Sequence, residues 1–293
     1  MNKKIVCFGE VLWDIFPNNK IIGGAPFNVA YRLNSLGMEA SIISSIGNDS
    51  SGELLIKEIE KNQINTSLIQ KHPSLKTGEV KISIDEKGSA NYKILSPVAW
   101  DEISTTKLGF NKVKNSNAFV YGSLSSRSEH SKKTLFELLK IAKFKIFDVN
   151  IRAPHYSLET IKALINEANL LKCNEEELLF LSKSYGCKKN GLRERITFLS
   201  DKTETPSICV SRGENGAILY ENGGFYEHFG YKIKVKDTVG AGDSFLATLI
   251  SYRMQNFSIE KSLELACAMG ALVCKYDGAN PKITSELLMS LTR

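Results

Sequence analysis

Long hydrophobic runs are missing from this sequence of 293 residues. A helix needs about 20 apolar residues to cross a bilayer, and no segment approaches that length. The short apolar run at residues 5–8 lacks the length and the small-residue cleavage site of a secretory signal. We therefore predict no membrane segment, and we interpret residues 5–8 as a first buried strand.

The spacings typical of metal and redox sites are also lacking. Among six cysteines and four histidines, no pair is spaced C-x-x-C or H-x-x-x-H. Most of the cysteines have apolar neighbours, as Cys209 does between Ile208 and Val210. We interpret them as reduced core residues and expect a cytoplasmic protein.

Basic residues are not concentrated in any part of the chain, although the formal net charge is +6. No basic block is longer than a pair of residues. Nucleic-acid binders gather positive charge on one face or tract, so we predict no nucleic-acid partner. A solvated surface accounts for the scattered lysines, and a mild positive field also suits an anionic ligand.

The sequence does contain short apolar runs that alternate with helical patterns, and its hydrophobic content is 42%. Its last third reads as three helices, at 241–254, 258–275 and 284–291. Strands that alternate with helices predict an α/β fold with a mostly parallel central sheet covered on both faces. No repeat or linker divides the chain, so we predict a single domain over residues 1–293.

Residues 76–96 interrupt this alternation of strands and helices. Apolar and polar residues alternate from Val80 to Ile84 and again from Tyr92, on either side of a turn signal at 85–88. The pattern predicts a hairpin with one solvated face, outside the main sheet. An isolated hairpin is marginal in water, so its apolar face must pack on the core, on a ligand or on a second subunit.

The strongest chemical signal is the segment Asp-Thr-Val-Gly-Ala-Gly-Asp at 237–243. Gly240 and Gly242 let the backbone approach a ligand closely, and an apolar helix begins at once. The free N–H groups and the dipole of that helix favour an anion. Asp243 stands inside this anion site, which suggests phosphoryl transfer with Asp243 taking a proton from a hydroxyl. A glycine-rich turn before a buried helix is the structural alternative.

Two other phosphate-binding motifs are excluded. Gly-Ala-Gly resembles part of a dinucleotide motif, but the third glycine of G-x-G-x-x-G would stand at 245, which is Phe245. No strand-to-helix unit with an acid about 20 residues onward follows it. The loop G-x-x-x-x-G-K-[ST] is absent as well, so neither a dehydrogenase nor a P-loop enzyme is favoured.

A second glycine pair, Gly23 and Gly24, precedes a helix that contains Asn28. An asparagine side chain both donates and accepts hydrogen bonds, which suits a sugar hydroxyl. Asn28 as a simple helix cap is the alternative. Asp14 lies just past the first strand, where α/β proteins bind their ligands.

Three further segments contain candidate site residues. Asn174 and Glu177, three apart on one helix face, suit the water shell of Mg²⁺, and interaction with the helix dipole is the alternative. Arg152, in the stretch Asp-Val-Asn-Ile-Arg at 148–152, contacts a substrate or pairs with a surface acid. The loop at 211–216 is a nucleotide-edge loop or an ordinary hairpin loop.

Together these motifs resemble the ribokinase family, also called the phosphofructokinase-B carbohydrate kinases. One signature is Gly-Gly-Ala-Pro-Phe-Asn at 23–28, the other is the segment at 237–243, and the likeness runs from Gly9 to Pro281. Within the family the chain looks most like fructokinases. The stretch D-x-N-x-R is shared with 2-keto-3-deoxygluconate kinases, whereas ribokinases typically have Gly-Lys-Gly-Ala-Asn in the first signature.

The resemblance implies a role for each matching residue. Asp243 is then the catalytic base, and the anion hole is formed by Gly240, Ala241 and Gly242. The residues that bind the sugar are Asp14, Gly24, Asn28, Asn150 and Arg152. The residues that line the ATP site are Ser211, Gly213 and Gly216. The residues that hold Mg²⁺ through water are Asn174 and Glu177. The residues in loops that match a K⁺ site are Asp237, Val239 and Gly278.

The resemblance also implies a fold and a reaction, and the apolar face of the hairpin suggests an assembly. The expected fold is a ribokinase-like three-layer sandwich with a small β lid, formed by about residues 11–24 and 76–100, that closes over the sugar. The expected reaction is ATP-dependent phosphorylation of D-fructose to fructose 6-phosphate, with 2-keto-3-deoxygluconate and ribose as alternative acceptors. A non-catalytic sugar- or nucleotide-binding regulator is the alternative of a different class. We further expect a homodimer joined through the lid.

Overall fold

The computed structural model describes residues 3–84 and 90–292. Their strands are β1 Lys4–Phe8, β2 Leu12–Ile15, β3 Lys20–Gly23, β4 Glu39–Gly47, β5 Ile69–His72, β6 Gly78–Ile84, β7 Ala90–Ile94, β8 Ala118–Gly122, β9 Lys145–Asp148, β10 Leu170–Asn174, β11 Ser207–Ser211, β12 Ala217–Glu221 and β13 Gly224–His228. Their α-helices are α1 Ala25–Ser35, α2 Ser50–Lys61, α3 Lys107–Lys114, α4 Glu129–Leu139, α5 Leu158–Asn166, α6 Glu175–Ser184, α7 Leu192–Thr203, α8 Ala241–Met254, α9 Ile259–Val273 and α10 Ser285–Leu291.

The larger sheet has nine strands in the part of the chain that the structure describes, in the order β13-β12-β11-β10-β9-β8-β1-β4-β5. The pairs β1–β4, β4–β5, β9–β10 and β10–β11 are parallel, whereas β11–β12 and β12–β13 are antiparallel. Parallel neighbours need crossover connections, which the intervening helices supply. The predicted α/β class with a mostly parallel sheet is confirmed.

The chain divides into two compact units. The first comprises Met1–Phe119 with Leu124–Lys143, and the second comprises Val120–Ser123 with Phe144–Arg293. Strand β8 is divided between them, because Ala118 and Phe119 belong to the first unit and its other residues to the second. The assignment of residues 1–293 to a single domain stays a prediction.

Strand β1 lies in the core of the first unit. Ile5 is 1% exposed and Phe8 is fully buried, as predicted for the apolar run at residues 5–8. Ile5 pairs with Ala40 and Phe8 with Ile43 of β4, in parallel register. Strands of a parallel sheet are covered on both faces, so the run is continuously apolar rather than alternating.

The smaller sheet, which we call the lid sheet, belongs to the first unit and has the order β3-β2-β6-β7. Strands β6 and β7 pair antiparallel, as predicted for the hairpin at 76–96, and β2 pairs parallel with β6. The turn predicted at 85–88 lies outside the described residues. The four strands fall in the two segments expected to form the lid, 11–24 and 76–100.

One face of the lid sheet is apolar. Its buried cluster consists of Leu12, Val80 and Ile82, with Phe16 and Ile94 packed against it. Val80 and Ile82 are 6% and 7% exposed, so the alternation in β6 buries its apolar side chains within the first unit. Tyr92 lies opposite Ile82 in the register, on the same face, and is 53% exposed.

A buried ion pair supports the end of the lid sheet. The Arg127 guanidinium donates from Nε to Oδ1 of Asp101 at 2.7 Å and from Nη2 to Oδ2 at 2.8 Å. The same Nη2 donates to the carbonyl of Leu95, the residue after β7, at 2.7 Å. The guanidinium also stacks on Trp100, 3.9 Å from the ring centroid. The two charged side chains are 7% and 5% exposed, so each depends on the other for its counter-charge.

The second unit ends in three helices close to the predicted ones. Helix α8 spans Ala241–Met254, which is the predicted range, and α9 and α10 each begin one residue later than predicted. Residues 244–252 of α8 are all buried, because the helix is apolar around most of its circumference. The buried part of α8 therefore holds the first turn of the same helix in place. Within residues 3–84 and 90–292, no helix combines the length and apolarity that a membrane span requires.

Candidate active site

The N-terminus of α8 carries the residues predicted for the anion hole. Gly240 is its N-cap, with φ of 72°, and a Cβ there would lie 2.6 Å from backbone atoms of Ala279, so only glycine fits. The backbone N–H of Ser244 donates to the carbonyl of Gly240 at 2.9 Å and begins the helical hydrogen-bond pattern. The N–H of Ala241 donates to the carbonyl of Thr238 at 3.3 Å, and the N–H of Gly242 precedes the first intrahelical hydrogen bond. These groups and the helix dipole favour an anion at this point.

Asp243 is the third residue of α8 and is half-buried. Its carboxylate therefore belongs to the same turn as the N–H groups that favour an anion. The helix continues directly into its buried segment, which fixes the backbone that carries Asp243. A carboxylate held in this way can accept a proton from a hydroxyl bound beside the anion.

Lys172 lies against this turn from β10. Its side chain is 8% exposed, and its Nζ donates to Oδ1 of Asp148 at 3.0 Å. A Cβ added to Gly242 would lie 3.2 Å from the same Nζ. Burial lowers the pKa of this lysine, but the attraction of nearby carboxylates outweighs burial and holds the pKa above the ordinary lysine value. These carboxylates belong to Asp148, Glu177 and Asp243.

Asn174 and Glu177 form a reciprocal cap at the start of α6. Oδ1 of Asn174 accepts the Glu177 N–H at 2.8 Å, and Oε2 of Glu177 accepts the Asn174 N–H at 2.9 Å. The other carboxylate oxygen, Oε1, accepts the N–H of Ile151 at 2.8 Å. Burial raises the pKa of Glu177 above the ordinary glutamate value. Glu177 therefore connects α6 to the loop after β9, a contact that the helix-dipole alternative does not include.

The loop after β9 contains two of the residues predicted to bind the sugar. Asn150 adopts a φ of 38°, and its carbonyl accepts a hydrogen bond from Ser123 Oγ at 3.3 Å. Ile151, held by Glu177, is the next residue. Arg152 is exposed, and among the described residues it forms no ion pair, contrary to the alternative of a surface acid as its partner.

The loop between β11 and β12 holds the three residues predicted to line ATP. Ser211 lies opposite Asn174 in the parallel register of β10 and β11. Gly213 and Gly216 have φ of 57° and 78°, and a Cβ at Gly216 would lie 2.0 Å from the carbonyl oxygen of His228. The turn itself therefore requires glycine at Gly216. A Cβ at Gly213 would meet nothing within 4 Å, so the backbone there is open.

Asp237 joins the two loops predicted to hold K⁺. Its Oδ1 accepts the N–H of Val239 at 3.0 Å, and its Oδ2 accepts the N–H of Gly278 at 2.9 Å. The three residues named from the sequence thus lie together, although all of α8 and all of α9 stand between Val239 and Gly278 along the chain.

The donor chemistry of the two predicted cation sites fits the ions expected there. Mg²⁺ keeps several waters and binds through one or two carboxylates plus substrate phosphates, which suits the Asn174 amide and the Glu177 carboxylate. Backbone carbonyls and the Asp237 carboxylate offer the oxygen ligands that K⁺ accepts. In the chain as described, residues 3–84 and 90–292, no cluster of three or more His, Cys, Asp or Glu side chains is able to hold a metal ion.

The remaining predicted residues, Asp14, Gly24 and Asn28, belong to the first unit. Asp14 on β2 lies opposite Val80 of β6, so it stands on the apolar face of the lid sheet. A Cβ at Gly23 would lie 2.1 Å from Oδ2 of Asp14. The glycine therefore makes room for the carboxylate.

Gly24 and Asn28 lie at the start of α1. Gly24 is the N-cap with φ of 108°, and a Cβ there would lie 2.4 Å from the carbonyl oxygen of Glu10. The backbone N–H of Asn28 donates to the Gly24 carbonyl at 2.9 Å, so Asn28 is one turn inside the helix. The alternative that Asn28 caps this helix is wrong. Its side chain is 4% exposed.

Three residues of these sites were given no role from the sequence: Gly23 and Asp148, although both lie in the motifs described above, and Lys172. A signal for the last two is present in the sequence. Lys172 interrupts the otherwise apolar run Leu-Leu-Lys-Cys at 170–173, and Asp148 directly follows the apolar pair Ile146 and Phe147. A charge inside a buried strand requires a partner of opposite charge, so the pairing was open to prediction.

The chain as a whole is similar to known carbohydrate kinases. The model of the pfkB family carbohydrate kinases matches residues 2–286. Probable fructokinase-5 of Arabidopsis thaliana is 28% identical over 308 residues, which cover 95% of this chain and 94% of that protein. The crystal structure of fructokinase from Xylella fastidiosa with bound ATP has a TM-score of 0.88 at 22% identity, over 99% of this chain and 98% of that one. A sugar kinase from Pyrococcus horikoshii in complex with ATP has a TM-score of 0.82 at 26% identity, over 98% of this chain and 97% of that one. Since the family match extends over nearly its whole length, the chain belongs to the pfkB family of carbohydrate kinases.

Proposed function

We propose that this kinase transfers the γ-phosphoryl group of ATP to a sugar hydroxyl, with Asp243 as the base. The first turn of α8 carries the proposal, because it combines a carboxylate with the N-terminus of a helix and with the adjacent ammonium of Lys172. Membership of the pfkB family supports a carbohydrate as the acceptor. The complex of the Pyrococcus horikoshii sugar kinase with ATP supports ATP as the donor.

The proposed mechanism depends on positioning and charge rather than on a covalent intermediate. The N–H groups of Gly240 and Gly242 bind the charge that develops on the transferred group, and Ala241 joins them once its N–H leaves the 3.3 Å bond to the Thr238 carbonyl. Asp243 accepts the proton of the attacking hydroxyl. Ser211, Gly213 and Gly216 line the nucleotide.

Two cations would assist the same residues. Asn174 and Glu177 would hold Mg²⁺ through water, and the bound ion neutralises charge on the phosphates of ATP. Asp237, Val239 and Gly278 would hold K⁺ in the loops that flank α8 and α9. The chain's own contribution is to fix these loops, through the hydrogen bonds of Glu177 and Asp237.

In this proposal Asp14, Gly24 and Asn28 of the first unit bind the sugar, and Asn150 and Arg152 add contacts. A carboxylate on an apolar face suits a sugar ring, which presents both hydroxyl groups and C–H surfaces. The Asn28 amide offers a donor and an acceptor from a buried position. The lid sheet then excludes water from the reaction.

D-Fructose is the proposed acceptor and fructose 6-phosphate the product. The relatives named fructokinase, such as the Arabidopsis thaliana protein at 28% identity, support this choice. A coupled assay of ADP release over D-fructose, 2-keto-3-deoxygluconate and D-ribose tests it, and we expect the highest kcat/KM for D-fructose. NMR of the product would identify the phosphorylated hydroxyl.

Two other outcomes of this assay are informative. A higher kcat/KM for 2-keto-3-deoxygluconate or D-ribose would change the proposed acceptor but leave the proposed kinase activity standing. Binding of ATP without turnover on any sugar would contradict the proposal and favour a non-catalytic regulator.

Glu177→Gln is expected to raise the Mg²⁺ concentration for half-maximal rate by about tenfold. Both oxygens of Glu177 accept backbone N–H groups, so a glutamine amide must present a donor to one of them. The cap of α6 or the loop at Ile151 then loosens. Initial rates against free Mg²⁺ at saturating ATP measure the effect.

Glu176→Gln is the matched control, because Glu176 is an exposed acid in the same first turn of α6. Its Mg²⁺ titration should equal that of the wild type. If Glu177→Gln also left the titration unchanged, the acids of this turn would act through the helix dipole alone.

We also infer a homodimer joined through the lid sheet. Tyr92, exposed on the apolar face, offers surface to a second copy, and symmetric dimers are the commonest homo-oligomers. Tyr92→Ser should loosen the dimer in size-exclusion chromatography with light scattering. Val80→Ser and Ile82→Ser disturb the buried cluster of the lid sheet and should raise the KM for sugar.

Tyr276→Ser, at an exposed tyrosine of the second unit, controls for loss of an aromatic surface residue. A wild-type monomer at micromolar concentration would reject the dimer. If the KM for sugar is unchanged in the Val80→Ser and Ile82→Ser variants, the lid sheet does not take part in sugar binding.

A further inference from the structure

Lys172 is a buried charge, and its ion pair with Asp148 alone does not explain why a lysine stands in this strand. Its ion pair with Asp148 joins neighbouring residues of β10 and β9, in an otherwise apolar part of the sheet. Replacing a buried ion pair with apolar residues of similar volume is often neutral or stabilising. Stability is therefore a weak reason for a lysine in this strand, and its other neighbours become informative.

The ammonium group of Lys172 extends beyond Asp148 to the first turn of α8. It lies 3.2 Å from the point that a Cβ on Gly242 would occupy. Gly242 directly precedes Asp243, whose carboxylate attracts the same ammonium and raises the pKa of Lys172. A side chain at 242 would therefore crowd the ammonium group, and glycine there allows the contact.

The charges around Lys172 are unbalanced without it. The carboxylates of Asp148, Glu177 and Asp243 all interact with this one ammonium. Oδ2 of Asp148 is buried and has no hydrogen-bond partner among the described residues. A phosphoryl group at the N-terminus of α8 would add further negative charge to this group of acids. In a buried setting such charges interact strongly, so a fixed cation has a large effect on them.

We propose that Lys172 is a positioning residue for phosphoryl transfer, whose ammonium, fixed by Asp148, orients Asp243 and supports the anion-binding turn at Gly242. The inference rests on the proposed kinase function and assigns Lys172 a part in it. Lys172 acts through the first turn of α8 and Asp243 rather than by touching the sugar. Its charge should therefore affect the chemical step more than the binding of either substrate.

The test compares a single and a double variant. Lys172→Met removes the charge at similar length, and we expect kcat to fall by about 10²-fold. The KM values for ATP and sugar should stay within about twofold of the wild type. Because Lys172→Met leaves Asp148 buried and unpaired, the second variant adds Asp148→Asn, which makes both members of the pair neutral.

The double variant separates positioning from stability. We expect its thermal midpoint to return close to that of the wild type, while kcat stays as low as in Lys172→Met. Recovery of kcat in the double variant would overturn the proposal, because Lys172 would then serve only as the partner of Asp148. Lys145→Met, which removes a half-buried lysine paired with Glu167 in the same unit, should leave kcat unchanged.

A binding measurement makes the inference independent of the acceptor. ADP with aluminium fluoride imitates the phosphoryl group in transfer, and calorimetry compares its affinity with that of ADP alone. Lys172→Met should weaken binding of ADP–aluminium fluoride by about the factor lost in kcat and leave ADP binding unchanged. Equal losses for both ligands, or none, would overturn the role of Lys172. A wild-type protein without turnover on any sugar would instead contradict the proposed function.

Discussion

Asp243→Asn is expected to lower kcat by about 10²–10⁴-fold while ATP and sugar still bind. Asparagine keeps the size of the side chain, but its amide cannot take the proton of the attacking hydroxyl. The backbone at 243 should not move, because α8 is buried from Ser244 to Tyr252. ADP release gives kcat, and calorimetry gives the two dissociation constants. Near-normal kcat would remove Asp243 from the mechanism.

A second acid in a first helical turn supplies the control. Glu260 stands in the first turn of α9, in the same unit, and is exposed. Glu260→Gln removes one negative charge from a helix N-terminus, as Asp243→Asn does, but far from the glycines at 240 and 242 in the sequence. It should change kcat by less than about twofold, since only the dipole interaction of a surface acid is lost.

Arg127→Met is expected to lower the free energy of unfolding by about 3–5 kcal/mol. The variant leaves Asp101, whose side chain is 5% exposed, as a buried charge without its bidentate partner. It also removes the hydrogen bond to the Leu95 carbonyl and the stacking on Trp100. Denaturation with urea, monitored at the tryptophans, measures the loss. A loss below about 1 kcal/mol would mean that this pair contributes no more to stability than an exposed ion pair does.

Two variants make the interpretation specific. Lys132→Met breaks the ion pair of Lys132 with Glu129, which is 86% exposed, and should cost less than about 1 kcal/mol. Arg127→Met combined with Asp101→Asn should recover part of the loss, because no buried charge then stays unpaired. Since Arg127 holds the residue after β7, the single variant should also raise the KM for sugar through the lid sheet.

Elements with a strong local pattern were predictable from the sequence. Strand β1 was found because both faces of a parallel strand are buried and its residues form one apolar run. The range of α8 was found because a glycine-rich start precedes a continuous apolar stretch. In both cases neighbouring residues carry the whole signal.

Short strands with half-buried residues escaped this reasoning. Every residue of β13, Gly224–His228, is half-buried, so its sequence shows neither a clean alternation nor an apolar run. Strands β2 and β3 have four residues each, and they are stabilised by pairing with each other and with β6. Such pairing depends on residues distant in the chain.

The candidate site shows the same division. The glycines at 240 and 242 and the carboxylate at 243 were recognisable because a helix start with those residues favours an anion wherever it occurs. Glu177 was named from its spacing to Asn174, but its bond to Ile151 joins residues 26 apart in the chain. Asn28 was open to a capping role until the helix start at Ala25 excluded it.

The sequence by itself determined the α/β class, the glycine-rich start of α8 and the candidate base, because each depends on contiguous residues and their intrinsic conformational preferences. Only the tertiary structure decided which charges meet. Lys172 and Asp148 are 24 residues apart, and the register of β9 and β10 places them opposite each other. Packing of α8 then brings Gly242 to the same ammonium. The interaction of buried charges depends on distance and on the exclusion of water, and both arise only when the chain folds.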